Sequence, residues 1–171
     1  KKEYDATYIT VESEHSALSA VIGAASTGVR TFTASASHGL ALMHEVTGVA
    51  SASRLPVVMA VVSRAIPGPM CLWCDHSDIM TQRDQGWIQL FAESPQECLD
   101  FTMIAYRTSE DERVLTPTMV DIDGFYCSHL TEPVDVPTED EAERFISEFR
   151  PVNAQLNTDM PYAIDNLSSP A

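Results

Sequence analysis

The chain has 171 residues, which suits one domain able to bury its own core without disulfide or metal staples. Apolar residues make up 44 % and charged residues 20 %, and 25 acids against 10 bases leave a net charge of −15. That field repels phosphate backbones and anionic bilayers, so nucleic acid and membrane surfaces are excluded as expected partners.

Taken in chain order, residues 6–11 (ATYITV) are β-rich and predict a strand, followed by Glu12-Ser13-Glu14. Residues 15–25 are rich in Ala, Leu and Ile and predict a helix stopped at Gly28. Residues 30–34 (RTFTA) predict a second strand, 35–39 a turn of small residues, and 40–51 a helix from their apolar spacing. Residues 55–62 (LPVVMAVV) form a continuous apolar run, as a strand covered on both faces does. An irregular stretch with Pro67, Gly68 and Pro69 follows over 63–80, then a strand over 86–92 (GWIQLFA). Ser94-Pro95-Gln96-Glu97 reads as a helix start, with a capping Ser, Pro at the first helical position and Glu three residues after the cap. That helix is expected to reach about Ser109, with a strand over 118–122 (TMVDI) beyond it. Thr138 and Glu141 repeat the cap spacing ahead of an acidic surface helix over 138–148, and 151–171 reads as a linker.

Strands that alternate with helices in this way predict an α/β domain with a mostly parallel sheet flanked by helices. Ligands of such sheets sit beyond the carboxyl ends of the strands, so the turns at 12–15, 35–39, 63–74 and 123–129 are the places to look for chemistry. No apolar run is long enough for a bilayer span and no signal-peptide core follows the first residues, so a cytoplasmic protein with reduced cysteines is expected.

Glu14 opens a small-residue helix at the end of a strand, where the helix dipole favours its ionised form and burial would raise its pKa. Spacing alone favours the plainer reading, a solvated first-turn acid behind the cap Ser13. Arg64 closes the apolar run at a strand's carboxyl end and could clamp a carboxylate with two hydrogen bonds, or could pair internally with one of the many acids. Cys71 and Cys74 form a CxxC, but Cys98 and Cys127 supply no second pair and the motif lies inside a Pro-Gly loop, which argues against metal or redox use. Asp75-His76-Ser77-Asp78 reads as caps and turns before a short helix. His15, His38, His44 and His129 are scattered and join into no site.

Several blocks together resemble the alpha subunit of pyruvate:ferredoxin oxidoreductase. These are Glu12-Ser-Glu-His-Ser-Ala17, Thr31-Phe-Thr-Ala-Ser35 with His38-Gly-Leu-Ala-Leu-Met43, Ser63-Arg-Ala65, Trp73-Cys-Asp-His-Ser-Asp78, Arg83-Asp84, Gly86-Trp-Ile-Gln89, and Asp123-Gly-Phe125 with Ser128-His129. They stand in the family's order and span 11 to about 136. The resemblance implies a transketolase-like pyrimidine-binding domain for thiamine diphosphate over 1–150, and a linker toward a following domain over 151–171. It also implies a domain truncated at both ends, because the family's segment before the first strand falls outside the chain.

The implied enzyme oxidises a 2-oxoacid, releases carbon dioxide and passes the acyl group to coenzyme A and the electrons to ferredoxin, or runs in reverse. Pyruvate is the expected substrate. A branched-chain 2-oxoacid or 2-oxoglutarate is the alternative within the class, and a non-catalytic subunit-interaction fragment the alternative outside it. By the resemblance, Glu14 matches the glutamate that hydrogen-bonds the aminopyrimidine ring, and Arg64 the arginine that binds the substrate carboxylate. His38 stands where the family often has Gln and receives no assigned contact. The cofactor and its Mg2+ ion would be shared with a beta subunit, and iron–sulfur clusters would sit only in partner subunits, beta, gamma and delta completing the complex.

Overall fold

The computed structural model describes residues 6–66, 68–69, 71–152, 158–159 and 161. Four strands, β1 (Thr31–Ser35), β2 (Val57–Ser63), β3 (Ile88–Ala92) and β4 (Thr118–Asp123), pair in the order β1-β2-β4-β3, and every pairing is parallel. Parallel neighbours need crossovers, and these are helical. In chain order the helices are α1 (Glu14–Ser26), α2 (Ser37–Leu42), α3 (His44–Ala52), α4 (Ser77–Met80), α5 (Pro95–Ser109), α6 (Tyr126–His129) and α7 (Glu139–Ile146).

The pleat of β2 divides the core. Val57, Met59 and Val61 face one way and pack with Met119 of β4 against Leu18 of α1, Leu40 and Met43 around α2, Ala50 of α3 and Ile79 of α4. Val58 faces the other way and packs with Val120 and Leu90 against Ala105, Phe101 and Tyr106 of α5. The central strand is therefore covered on both faces, which is why its sequence is an unbroken apolar run. Each fully buried Val or Met contributes about 1.5–3 kcal/mol relative to exposure.

Local chemistry sets the helix ends. Ser13 is extended and its side chain accepts from Ser16 N–H, so α1 begins at Glu14, and Gly28 leaves the helix at φ 85°. Ser94 accepts from Glu97 N–H and Pro95 is the first residue of α5. Thr138 and Glu141 form a reciprocal capping box on α7. Arg30 fixes the far side: it makes two 2.6 Å bonds to Glu110 and lies over the rings of Tyr106 and Phe149.

Three expectations are corrected. Residues 6–11 form no strand: they are exposed, Tyr8 at 90 %. β propensity needs a partner strand to act on, and nothing described pairs with this segment. The single helix expected over 40–51 is two helices that meet at Met43. The turn expected over 35–39 already contains the first residues of α2, because Ser37 enters that helix from a left-handed φ of 49°. Most of the linker expected over 151–171, like residues 1–5, lies outside the described residues.

Candidate functional site

The carboxyl ends of β1, β2 and β4 converge on one buried carboxylate. Asp78, fully buried at the start of α4, accepts from Ser37 N–H at 2.7 Å, Arg64 N–H at 2.9 Å and Ile79 N–H at 2.8 Å. One side chain thus ties the loop after β1 to the loop after β2. Three backbone donors satisfy the charge that burial would otherwise make costly. Ser37 adds a second tie, its hydroxyl donating to Ala65 C=O at 2.7 Å. Its positive φ is the kind of local strain that the surrounding bonds must hold in place.

On this frame α1 delivers Glu14 to the end of β1. A Cβ placed on Gly39 would lie 2.7 Å from Ser35 Oγ and 2.9 Å from Glu14 Oε1. The carboxylate of the exposed Glu14 therefore lies across Gly39 and beside Ser35, in the space that a larger side chain at 39 would make it leave. Arg64 leaves β2 with its main chain held by Asp78 and its side chain half-buried. The two residues singled out from sequence are thus brought to the same edge of the sheet, Glu14 at the start of α1 beside the end of β1 and Arg64 just past the end of β2. His38 is exposed there, its Nδ1 3.2 Å from Ser37 Oγ. Cys71 and Cys74 are free and half-buried in the loop. Among the described residues, no group of three or more His, Cys, Asp or Glu is placed to hold a metal ion, and no helix is long and apolar enough to cross a membrane.

Two buried polar atoms at this edge have no protein partner: Ser35 Oγ and Arg64 Nε. Buried donors are nearly always satisfied, so an unsatisfied pair at adjacent strand ends points to groups supplied from outside the chain. Glu14, Ser35 and Arg64 thus set a carboxylate, a hydroxyl and a guanidinium-bearing side chain along one edge of the sheet, polar groups of the kind that a cofactor with ring nitrogens needs.

A second polar cluster escaped the sequence reading. Asp121, in mid-strand and 1 % exposed, receives the Ser63 hydroxyl on Oδ1 and faces His76 Nδ1 at 2.8 Å with Oδ2. Burial pushes the Asp121 carboxyl above its ordinary value, while Ser63 and then His76 pull it back. The signal was available: a lone Asp inside the apolar run TMVDI is an acid that must find a partner. Behind it, Gly124 passes so close to β2 that a Cβ there would lie 2.1 Å from Ser63 C=O, and its N–H donates to that oxygen at 3.0 Å.

Comparison with known proteins follows the same lines. The family model described as "Pyruvate flavodoxin/ferredoxin oxidoreductase, thiamine diP-bdg" matches residues 1–171. The chain is 50 % identical over 169 residues to "Pyruvate synthase subunit PorA" of Pyrococcus abyssi, covering 99 % of this chain and 43 % of that protein. It is 43 % identical over 168 residues to "Ketoisovalerate oxidoreductase subunit VorA" of Pyrococcus furiosus, covering 98 % and 42 %. The chain therefore spans less than half the length of these relatives. Among solved structures it resembles a 2-oxoglutarate:ferredoxin oxidoreductase from Magnetococcus marinus with 2-oxoglutarate, coenzyme A and succinyl-CoA bound, at TM-score 0.61 and 28 % identity, over 68 % of this chain and 21 % of that one.

Proposed function

The chain belongs to the thiamine-diphosphate-binding family of the pyruvate flavodoxin/ferredoxin oxidoreductases, and on that premise we propose that it holds the aminopyrimidine ring in an enzyme that oxidatively decarboxylates pyruvate to acetyl-coenzyme A, or runs the reverse. The observation that carries the reading is the placement of Glu14, at the start of α1, across Gly39 and beside the unpartnered hydroxyl of Ser35 on β1, with the unpartnered Nε of Arg64 just past the neighbouring strand β2.

When bound, thiamine diphosphate supplies a carbon nucleophile for the oxo carbon and an electron sink for the pair left by departing carbon dioxide. With the cofactor bound, Glu14 would offer its carboxyl to a ring nitrogen and exchange a proton there. Ser35 is free to donate to the same ring system. Arg64 presents its guanidinium to the substrate carboxylate, as a fork that matches two oxygens. The main-chain bonds to Asp78 hold both loops in place without spending either functional side chain, which is how a site gains pre-organised geometry.

The diphosphate end of the cofactor and its Mg2+ ion fall to a beta subunit in this reading, and the iron–sulfur clusters to partner subunits. Electrons leave to ferredoxin through those subunits, in a cytoplasmic complex with beta, gamma and delta chains. Pyruvate is favoured over a branched-chain acid because identity to the pyruvate synthase subunit is 50 %, against 43 % for the ketoisovalerate subunit.

The test is the complex expressed from the full coding sequence with its partner subunits, assayed for pyruvate- and coenzyme-A-dependent reduction of a viologen dye. Glu14→Gln should abolish turnover while the complex still assembles. Turnover of a larger oxoacid in place of pyruvate would change the substrate, and no turnover of any oxoacid would leave a scaffold.

A further inference from the structure

We propose that His76, oriented by the buried carboxylate of Asp121, is the group that takes the proton from the thiol of the acyl acceptor. This rests on the reading above, in which a thiol substrate receives the acyl group.

The five histidines differ in what holds them. His15 meets the exposed Glu45 at 3.5 Å. Both ring nitrogens of His44 are occupied, Nδ1 with Gln82 at 3.0 Å and Nε2 with Gln85 at 3.1 Å. His38 and His129 each lean on the hydroxyl of the preceding serine. Among the described residues, His76 alone faces a buried carboxylate, with Nδ1 2.8 Å from Asp121 Oδ2 and 47 % of its side chain open to solvent.

Nδ1 lies 2.8 Å from Asp121 Oδ2, a close ionic contact in which Oδ2 accepts no aligned hydrogen bond. The Ser63 hydroxyl already fills Oδ1, and Phe91 packs edge-on against the imidazole at 5.5 Å between ring centroids. With Nδ1 against the buried carboxylate, Nε2 is the ring nitrogen left to take a proton. Asp121 on β4 and Asp75 on the ring's own segment are the acids that interact with it, while Asp78 and Asp123 act on Asp121.

The chemistry of the site requires such a group. Acyl transfer to a thiol needs the S–H proton to leave, to Nε2 in this assignment, while its electron pair stays on sulfur and forms the S–C bond; the bond from the acyl carbon to the acyl-carrying cofactor would break, its pair returning to that cofactor. Arg64 is a permanent cation and cannot accept it, and Glu14 is committed to the cofactor ring. His76 stands at the same carboxyl edge. Its anchor Asp121 bonds Ser63, and Ser63 immediately precedes Arg64.

The experiment separates the half-reactions in the assembled complex. With His76→Asn, single-turnover release of carbon dioxide from pyruvate without coenzyme A should persist within about twofold. Coenzyme-A-dependent turnover should fall roughly 100-fold, the lower end of the range for loss of a general base, and the acid limb of its pH profile should disappear. Asp121→Asn should reproduce the second effect more weakly. As a readout besides activity, diethylpyrocarbonate should modify His76 in the wild type, mapped by mass spectrometry, and coenzyme A should protect His76 but not His129. Equal loss of both half-reactions, or no protection by coenzyme A, would overturn the assignment. Failure of the wild-type complex to release carbon dioxide from pyruvate would instead strike the functional reading on which it rests.

Discussion

The carboxylate of Glu14 fills the space that a side chain at position 39 would need, so the two residues are steric complements across the junction of α1 and α2. The complementarity makes Gly39 a lever on Glu14.

In Gly39→Ala the new methyl meets Ser35 Oγ and Glu14 Oε1 at under 3 Å and must push both aside. Crowding of this kind costs about 1–3 kcal/mol, while alanine in a helix returns about 1 kcal/mol. Stability should therefore stay within about 1–2 kcal/mol of the parent, and thiamine diphosphate affinity should fall roughly tenfold or more, since each 1.4 kcal/mol is about tenfold. Calorimetric titration of the cofactor into the assembled complex checks this. An unchanged affinity would mean that Glu14 does not meet the ring.

Asp78→Ala removes the acceptor for three backbone N–H groups and leaves those of Ser37 and Arg64 buried without one. The expected destabilisation is about 2–5 kcal/mol, read from the midpoint of urea unfolding. Asp78→Asn, which keeps one acceptor oxygen, should lose less.

Two glycines give opposite outcomes under the same substitution. A Cβ on Gly124 falls on the Ser63 carbonyl, backbone that cannot swing away, so Gly124→Ala should cost about 3 kcal/mol or more and loosen the ends of β2 and β4. Gly23 lies inside α1 with nothing within 4 Å of its Cβ direction, so Gly23→Ala should stabilise by about 0.5–1 kcal/mol. Thermal unfolding of the pair checks both signs.

Tyr106 is pushed up from 10.0 to about 12, first by burial, with Arg30 pulling it down and Glu110 pushing it up. The folded state keeps its proton where the unfolded chain releases it, so the unfolded chain binds fewer protons between pH 10 and 12. Stability from this group is thus complete below pH 10 and is lost as pH rises through 12. Near-ultraviolet titration should show one late phenol, absent in Tyr106→Phe, whose stability should fall less steeply over that interval.

Much of the fold was legible because its signals are local. The caps at Ser94 and Thr138, the stop at Gly28 and the two-faced burial of β2 each follow from a few adjacent residues. Residues 6–11 misled because their β propensity has no described strand to pair with, and pairing is a long-range fact. The α2–α3 break escaped because apolar spacing runs across Met43, while the positive φ of Ser37 is set by Asp78, 41 residues away. For the site, Glu14 and Arg64 rest on the family resemblance. Asp78 was read among caps and turns; it lies inside α4, whose N-cap is His76, and its bonds to two other loops cannot be seen from spacing. His76 and Asp121 are 45 positions apart, and only the sheet brings them together.

Asp78 grips main chain and not side chains, and this separates the shape of the mouth from its chemistry. The residues at 37 and 64 keep their N–H groups whatever side chains they carry, so Arg64 can be exchanged while the loop stays where it is. The domain is in that sense a reusable socket: libraries at 64, and at the neighbouring exposed position 38, should alter what the mouth accepts without first having to rescue folding.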